Sequence, residues 1–469
     1  MAIFFTEGEV KNRPGVYQRH TNVGHTRSTA NDGICAIPTQ AAWGPLGKVL
    51  KNNSKTDLKT NYGSGVFGPG FTVPAAAAMF EGGASTVFTY RLGTGGKQAS
   101  LTVEGLTVTA KYPGTMPISV AVQQKLGDAT RKQFIVYVGT TQMEVWEFAA
   151  DTKAEGANLI AATAESKYVI VTGDAAVVAV LPVASGALTG GENPTVTNED
   201  YSKAFAALES SYYNTIALDV DDDEDMTLSL LLQEYLNNAY QFGKLGMAVV
   251  GEKTTVPFEK RLEHATRFND AKVVYLGGGY MAGTENKDGV LAICRLAGEI
   301  AKTPSNQGIT HAVIDEATDL CETLTFAQYT AAIAAGALML SKSSEGAIWY
   351  DSGINTLTNP EPGTQDKGWK KIKRVKTRFE LIDRLDRALN PKVGRVSADS
   401  DGIADIIQTG QRVLDAMTIE RKLMNGARFF EDTENPHDGD SAYFIIQSDD
   451  IDSLEMIYLQ YQFRYSQNS

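Results

Sequence analysis

The chain has little cysteine, and its few cysteines are poorly placed for cross-linking or metal binding. Only three occur, Cys35, Cys294 and Cys321, and they lie far apart with no C-x-x-C spacing. An odd, scattered set argues against a disulfide framework and against a cysteine-ligated zinc site. We therefore expect the three cysteines to be small, buried, apolar residues. Unpaired cysteines of this kind are compatible with assembly in a reducing cytoplasm.

Long apolar runs and targeting signals are lacking as well. The longest apolar run, residues 331–340, is about half of the roughly 20 residues that a membrane-spanning helix needs. Residues 1–7 contain neither a basic n-region nor a long apolar h-region. We expect neither classical secretion nor membrane insertion, so a role outside the cell would require release by lysis.

Positive charge is also in short supply. The 43 lysines and arginines stand against 56 aspartates and glutamates, which gives a formal net charge of −13. Nucleic-acid-binding proteins usually carry a basic patch, so this balance argues against nucleic acid as a partner. Residues 367–395 are a local exception, because basic residues are concentrated there.

No motif of a known catalytic or metal site is present. The chain has no H-E-x-x-H, no G-x-S-x-G, no P-loop and no C-x-x-C. Its histidines are isolated from one another in sequence: His20, His25, His264, His311 and His437. A triad assembled only by folding stays open, but no residue is singled out for catalysis, cofactor binding or metal binding.

Two local patterns look like ligand-binding loops but fit structural turns better. Residues 273–283 are a strand followed by glycines, yet the third glycine of a dinucleotide-binding turn falls one place late. Residues 219–225 are rich in aspartate, but Glu224 and Leu230 occupy positions where a calcium loop needs glycine and glutamate. We expect a turn in the first case. In the second we expect a helix start capped by Glu224 and Asp225, or an acidic surface patch.

Changes in composition divide the chain into five predicted segments. At about 100–200 residues per domain, a chain of this length suggests about three domains. Residues 1–32 are predicted to be an N-terminal linking arm and connector. Residues 33–96 and 188–350 form the two parts of a core domain, 97–187 an inserted β domain, and 351–469 a C-terminal domain.

The predicted fold class is an α/β core with an inserted all-β domain and an α+β C-terminal domain. Helices and strands alternate in the two core segments, which indicates a largely parallel, helix-covered mixed sheet. Short β-branched strands separated by glycine, aspartate or proline predict a small sandwich or barrel between them. Strands are predicted there at 101–110 and 176–181, among others, and a core helix is predicted at 326–341.

The C-terminal domain is predicted to contain two basic, amphipathic helices, at 370–389 and 402–424. The cations of the first helix have two interpretations. They form a surface complementary to an acidic partner, or they belong to a solvated face with i,i+4 pairs such as Glu380–Arg384. Both interpretations stay open.

Both ends of the chain have extended segments that are suited to pairing with another subunit. A strand is predicted at 454–465, with its odd-numbered apolar residues on one face, and a shorter extended piece at 16–21. A long apolar strand left on an edge is an aggregation hazard. Pairing it with a neighbouring chain removes that hazard, as in β-strand addition.

Five motifs resemble those of tail sheath proteins from contractile phages and related bacteriocins, in the order found in that family. They are Pro14-Gly-Val-Tyr17, Trp43-Gly-Pro45, the G-G…V…R strand at 80–92, Leu188-Thr-Gly-Gly191 with the helix and strand after it, and the loop from Val393 to Gly402. Residues 97–187 carry no match, and Glu192-Asn-Pro194 replaces the Asp-Gly that often follows the fourth motif.

The resemblance implies a structural subunit of a contractile tail sheath, without enzymatic activity or cofactor. Such subunits polymerise as stacked rings around a tail tube in a high-energy extended state. Contraction then drives the tube through a target cell envelope. The implied partners are other copies of the chain, the tail tube protein, and baseplate and tail terminator proteins, with no nucleic acid and no membrane insertion. The implied location is a virion tail or phage-tail-like particle, assembled in the host bacterial cytoplasm and released by lysis.

The family joins subunits by lending N- and C-terminal strands to a neighbour's C-terminal sheet. The strand-exchange residues implied here are Val16, Tyr17, Gln18, Arg19, Ile457, Leu459, Tyr461 and Phe463. By the family's geometry, the first basic helix faces the tube and the β domain faces outward. The tube-facing candidates are Lys370, Lys371, Lys373, Arg374, Lys376 and Arg378. We expect subunits to move as rigid bodies, with the arms as hinges.

Two other classes of protein stay as alternatives. An α/β nucleotide- or sugar-binding enzyme with a β insertion would need a pocket with perturbed ionisable groups and would stay monodisperse. An adhesin or surface-layer subunit would need a secretion signal, which residues 1–7 do not provide.

Overall fold

The computed structural model describes residues 3–4, 17–18, 32–63, 73–150, 153–174, 184–437 and 439–463. By its contacts the chain divides into two units, residues 1–30 and residues 31–469. In the first unit, β1 (Ile3–Phe4) pairs in parallel with β2 (Tyr17–Gln18). Val16, Arg19 and the strand predicted at 176–181 lie outside the described residues.

The second unit contains all the helices of the described residues and most of the strands. The helices are α1 (Lys55–Tyr62), α2 (Pro74–Glu81), α3 (Glu155–Ala162), α4 (Asn198–Leu208), α5 (Thr227–Gln241), α6 (Phe258–Phe268), α7 (Val290–Lys302), α8 (Phe326–Ala335), α9 (Ile372–Leu389) and α10 (Ser400–Ile419). The strands are β3 (Ile34–Thr39), β4 (Val49–Asn52), β5 (Thr86–Arg91), β6 (Ser100–Val103), β7 (Leu106–Ala110), β8 (Ile118–Gln124), β9 (Arg131–Val138), β10 (Thr141–Ala149), β11 (Val169–Gly173), β12 (Ala184–Ala187), β13 (Thr215–Ala217), β14 (Met247–Gly251), β15 (Val273–Leu276), β16 (Tyr280–Ala282), β17 (Glu285–Lys287), β18 (Asp319–Leu320), β19 (Ala337–Leu338), β20 (Leu340–Lys342), β21 (Ile348–Tyr350), β22 (Arg428–Glu431) and β23 (Phe444–Gln447).

A mixed sheet lies at the centre of the second unit, with the strand order β19-β15-β14-β13-β3-β5-β4. Neighbouring strands are parallel except β4, which runs antiparallel to β5. Side chains alternate between the faces: Val249 joins one hydrophobic cluster, and Ala248 and Val250 join the other. Helices cover both faces, so the predicted α/β core is confirmed.

The packing of α2 against α7 depends on two glycines. Gly82 ends α2, and a Cβ on it would overlap the carbonyl group of Arg295 on α7. A Cβ on Gly298 would overlap the carbonyl group of Met79 on α2. The two backbones therefore lie closer together than any larger residue permits, and α7 is buried along most of its length.

Residues 99–188 contain two antiparallel sheets, β10-β9-β8-β12 and β11-β7-β6, around a hydrophobic cluster of their own. The single strand predicted at 101–110 is wrong. Glu104 and Gly105 both have positive φ and turn the chain into the β6–β7 hairpin. Helix α3 was not predicted. The limits of this stretch as an inserted domain stay a prediction.

The helices predicted at 370–389 and 402–424 correspond to α9 and α10, which pack together around Leu385, Leu414 and Met417. The start of α10 is set by Asp399, whose carboxylate accepts from the backbone N–H of Gly402 at 2.9 Å. The strands β22 and β23 pair antiparallel, and β22 packs against α10.

Two predicted elements differ from the structure. The helix predicted at 326–341 ends at Ala335, because Gly336 takes a left-handed φ of +78° and residues 337–338 and 340–342 form β19 and β20. The strand predicted at 454–465 is not formed over its described part, 454–463, where no strand of the described chain pairs with it. In the ranges that the structure describes, no helix is both long and apolar enough to cross a bilayer.

Candidate assembly surfaces

The described chain closes with an exposed apolar segment, residues 454–463. The exposed fraction is 70% for Ile457 and Leu459, 73% for Tyr461 and 93% for Phe463. The rings of Tyr461 and Phe463 stack at 6.2 Å, as expected for alternate residues on one face. Within the described residues, the backbone of this segment makes no ladder bond. It therefore offers backbone donors and acceptors together with an apolar face.

The hairpin of β22 and β23 is a two-stranded sheet fixed to the chain on one side. The Phe429 ring is buried against α10 and lies 5.3 Å from the ring of Phe444. Ile445 and Ile446 of β23 are exposed by 39% and 43%. A two-stranded sheet is marginal by itself. On the β22 side the Phe429 N–H donates to Gln411 of α10, and among the described residues the outer edge of β23 makes no hydrogen bond. The hairpin is therefore able to accept further strands.

At the N-terminal end, the structure describes only two of the four residues implied in strand exchange. Tyr17 and Gln18 are extended and pair with Ile3 and Phe4. Their part in joining subunits stays a prediction.

Two of the predicted tube-facing cations, Arg374 and Arg378, bind the same carboxylate. Arg374 donates from Nε and Nη2 to Asp450 at 2.5 and 2.8 Å, and Arg378 donates to Asp450 at 3.2 Å. Arg378 also binds Asp366 at 3.0 Å and lies over the ring of Trp369. Burial opposes ionisation of Asp450, but the two guanidinium groups outweigh it and hold the pKa of Asp450 below its usual range. The contact is thus a charge-assisted cluster.

Lys371 binds two further carboxylates of the same C-terminal stretch. Its Nζ lies 2.9 Å from Asp452 and 3.0 Å from Glu455. Burial lowers the pKa of Lys371, but hydrogen bonds from both carboxylates outweigh it and raise the pKa above its usual value. Glu455 also accepts from the hydroxyl group of Thr310 at 3.0 Å. Lys371 is therefore engaged within its own chain.

The other three candidate cations also lie against the protein. Lys370 donates to the Ile333 carbonyl at 2.7 Å, and Lys373 is buried. Lys376 donates to the carbonyl groups of Ile300, at 2.5 Å, and Thr303, at the C-terminal end of α7. Its ammonium group occupies the position where a helix dipole favours positive charge. The tube-facing role of these six residues stays a prediction.

The i,i+4 pairs expected on α9 are present. Arg384 binds Glu380 at 2.5 Å, and Arg387 binds Asp383. Arg384 is buried and also binds Glu420 at 2.7 Å, so the first pair belongs to a packed network and not to a solvated face.

The two loop patterns are structural turns in the folded chain. Gly277 to Gly279 join β15 to β16, and no helix follows them. In the acidic run, Asp222 accepts from the backbone N–H groups of Leu228 and Ser229, at 3.1 and 2.7 Å. The acidic residues do stabilise a helix start, but Asp222 does so, in place of the predicted Glu224 and Asp225. The described residues contain no group of three or more histidine, cysteine or acidic side chains arranged for a metal ion.

A hydrogen-bonded trio at the carboxyl ends of β14 and β15 was missed by the sequence reasoning. Glu252 accepts from the hydroxyl group of Tyr275 and binds Nδ1 of His264 at 2.8 Å. Catalytic residues of α/β enzymes often occupy this edge of the sheet. All three side chains are buried here, so the hydrogen bonds of the trio stabilise the packing of α6 against the sheet.

Arg91 is a second residue whose role was not predicted. The buried guanidinium group donates to the carbonyls of Ala41 (2.9 Å), Gly44 (2.5 Å) and Pro113 (2.8 Å). Burial lowers the pKa of Arg91 to about 10. This side chain joins the end of β5 to the β3–β4 loop and to the segment between β7 and β8. The conspicuous arginine of the G-G…V…R motif is the signal that marked the position.

The architecture is that of a tail sheath protein. The sheath tail protein of Desulfitobacterium hafniense, a crystal structure, has a TM-score of 0.72 at 21% identity, over 93% of this chain and 100% of that chain. The helical sheath of the anti-feeding prophage in its contracted state, solved by cryo-electron microscopy, has a TM-score of 0.54 at 11% identity, over 97% of this chain and 99% of that chain. These likenesses define the fold.

The sequence leads to the same family. Residues 195–355 match the family model described as the phage tail sheath protein central domain. The protein YqbK of Bacillus subtilis (strain 168) is 25% identical over 367 residues, which cover 76% of this chain and 75% of that protein. Residues 195–355 are thus similar to the central domain of phage tail sheath proteins, and the resemblance of the chain to that family is confirmed.

Proposed function

We propose that this chain is the structural subunit of a contractile tail sheath and has no enzymatic activity. Copies stack as rings around a tail tube in an extended, high-energy state, and contraction drives the tube through a cell envelope. The partners are other copies, the tube protein, and baseplate and terminator proteins. The particle is a phage tail or a phage-tail-like device, assembled in a bacterial cytoplasm and released by lysis.

The observation that carries the proposal is the exposed apolar segment at 454–463. Four large side chains on one face would each contribute about 1.5–3 kcal/mol on full burial, or about 6–12 kcal/mol together before the cost of ordering the strand. The β22–β23 hairpin, with exposed Ile445 and Ile446, is the acceptor of matching chemistry. An edge strand that pairs with a neighbour's segment satisfies both surfaces at once.

The other segments of the chain have the following roles in the proposed assembly. The segment around Tyr17 and Gln18 supplies the second exchanged strand, and residues 21–32 act as its connector. The core and C-terminal domains move as rigid bodies during contraction while the exchanged strands stay paired. The β domain at 97–187 faces outward, and α9 lies towards the tube.

Electron microscopy of the recombinant chain tests the proposal. The full chain is expected to form tubes or rings under negative stain, and a chain ending at Glu455 is expected to stay dispersed. That truncation keeps the contacts of Asp450, Asp452 and Glu455 with α9. Dispersed particles from both chains, at high concentration and without aggregation, would reject a strand-linked sheath.

A matched pair of variants distinguishes strand pairing from non-specific hydrophobic association. Leu459→Ser with Tyr461→Ser changes the apolar face and is expected to abolish the tubes. Tyr458→Ser with Gln460→Ser changes the opposite face of the same segment and is expected to leave them. Equal loss in both variants would contradict pairing through one defined face.

A further inference from the structure

The positive charge of α9 is largely used inside the chain, and one short acidic stretch binds three cations at the start of this helix: Lys371 at the N-cap, and Arg374 and Arg378 on the helix. We infer that α9 is an ionic anchor for residues 450–455, so that the movable part of the C-terminal arm begins at Met456. The name "arm" rests on the proposed function. The anchor itself is a property of the single chain and is tested on it.

The first attachment point is Asp450. Two guanidinium groups, those of Arg374 and Arg378, bind its carboxylate, and its side chain is 8% exposed. On either side of it, the Asp449 carbonyl accepts from the Met424 N–H at 2.8 Å, and the Ile451 N–H donates to the Lys422 carbonyl at 3.0 Å. Backbone and side chain are therefore both fixed at this position.

The second attachment point lies two to five residues further on, at Asp452 and Glu455. Lys371 joins the carboxylates of Asp452 and Glu455, and Thr310 donates to Glu455. Lys371 binds carboxylates on both sides of Leu454, so the backbone between them is held at two ends. Charge-assisted contacts of this kind are about twice as strong as neutral ones.

Among the described residues, no hydrogen bond or ion pair joins residues 456–463 to the rest of the protein. The interactions of these residues are within the segment itself: the Tyr458 hydroxyl donates to Met456 Sδ at 3.5 Å, and the rings of Tyr461 and Phe463 stack. The boundary between the anchored residues 450–455 and the segment that follows them therefore falls at Met456.

The N-terminal end of the second unit is attached to α7, beside a contact of α9. Gly33 donates from its backbone N–H to the Ala301 carbonyl at 2.8 Å, beside the carbonyl groups that Lys376 binds. Lys376 lies on α9, little more than one turn from Lys371. The first residues of the second unit are thus attached to α7, and residues 450–455 to α9, and Lys376 joins these two helices. Release of the anchor would free the six residues 450–455 and lengthen the arm by about 20 Å.

Limited proteolysis with thermolysin tests the anchor, because this protease cleaves before large apolar residues. The segment offers such sites inside the anchor, before Ile451 and Leu454, and beyond it, before Ile457 and Leu459. The soluble, unassembled full chain is used, and the cuts are mapped by mass spectrometry. Cleavage is expected before Ile457 and Leu459 and not before Ile451 or Leu454.

Two variants break the anchor, and each has a matched control. Asp450→Asn and Lys371→Met are expected to raise cleavage before Leu454 about tenfold or more, with cleavage before Leu459 unchanged as the internal reference. Asp449→Asn and Lys367→Met remove the same charges from exposed neighbours and are expected to leave the pattern as it is.

The inference is overturned by either of two results. One is a native chain that is cut before Leu454 as fast as before Leu459. The other is an Asp450→Asn chain with the native pattern and an unchanged melting temperature. Both readings are independent of polymer formation, so failure of the anchor and failure of the proposed function are distinguishable.

Discussion

Replacement of Lys376 by methionine probes an ammonium group whose charged form is disfavoured by burial. The stem of this side chain is partly exposed, but its ammonium group lies among the C-terminal carbonyls of α7. Burial lowers the pKa of Lys376 from 10.5 to about 8, helped by Lys422 and opposed by Asp32 and Glu380. In the unfolded chain the lysine returns to its ordinary pKa.

The sign of the pH dependence follows from these two pKa values. Between about pH 8 and pH 10.5 the folded chain has released the proton of Lys376 and the unfolded chain still holds it. The unfolded state then binds more protons, so the free energy of unfolding rises with pH in this window. For one such group, the expected gain between pH 7 and pH 9 is about 1 kcal/mol.

Urea unfolding of native and variant chains at pH 7 and pH 9 measures this gain. Other groups titrate in the same range, so the quantity of interest is the difference in unfolding free energy between the native chain and Lys376→Met. That difference is expected to shift by about 1 kcal/mol in favour of the native chain at pH 9. Lys376→Arg keeps the charge but does not titrate here, and it should give the same shift. A difference that is equal at both pH values, or that moves the other way, would refute the reasoning.

Two further predictions concern packing and the tube. Gly298→Ala places a methyl group against the Met79 carbonyl of α2 and is expected to destabilise the chain by about 1–3 kcal/mol in thermal or urea unfolding; an unchanged stability would mean that α2 and α7 can separate freely. Lys367→Glu with Lys370→Glu reverses charge beside α9 without touching the anchor, and it is expected to prevent stacking on isolated tubes, as seen by electron microscopy. Normal stacking would reject a tube-facing α9.

Local patterns predicted the core well where one residue type decides the conformation. The largely parallel sheet of the core followed from the alternation of helical and strand patterns along the chain. The predictions failed where a single residue changed direction inside an apolar run. Gly336 ended a helix that the alanines around it would have continued, and Glu104 with Gly105 folded one strand into two.

The assembly surfaces were predicted in part. The odd-numbered apolar residues of the last segment were visible from their spacing, and the structure leaves them exposed. The partners of the basic residues were not visible, because Arg374 meets Asp450 and Lys376 meets Ile300 across 76 positions of sequence each. No periodicity within a helix encodes a contact of that range.

The amino-acid sequence by itself determined many of the helices, strands and turns, and that the last segment carries an apolar face. Those properties depend on neighbours within a few residues, through propensity, capping and alternation. Tertiary structure alone decided which charged side chains form ion pairs within the chain and which apolar side chains remain exposed. Both depend on which distant segments the fold brings together, and in this chain the fold attaches residue 33 to α7 and residues 450–455 to the neighbouring α9.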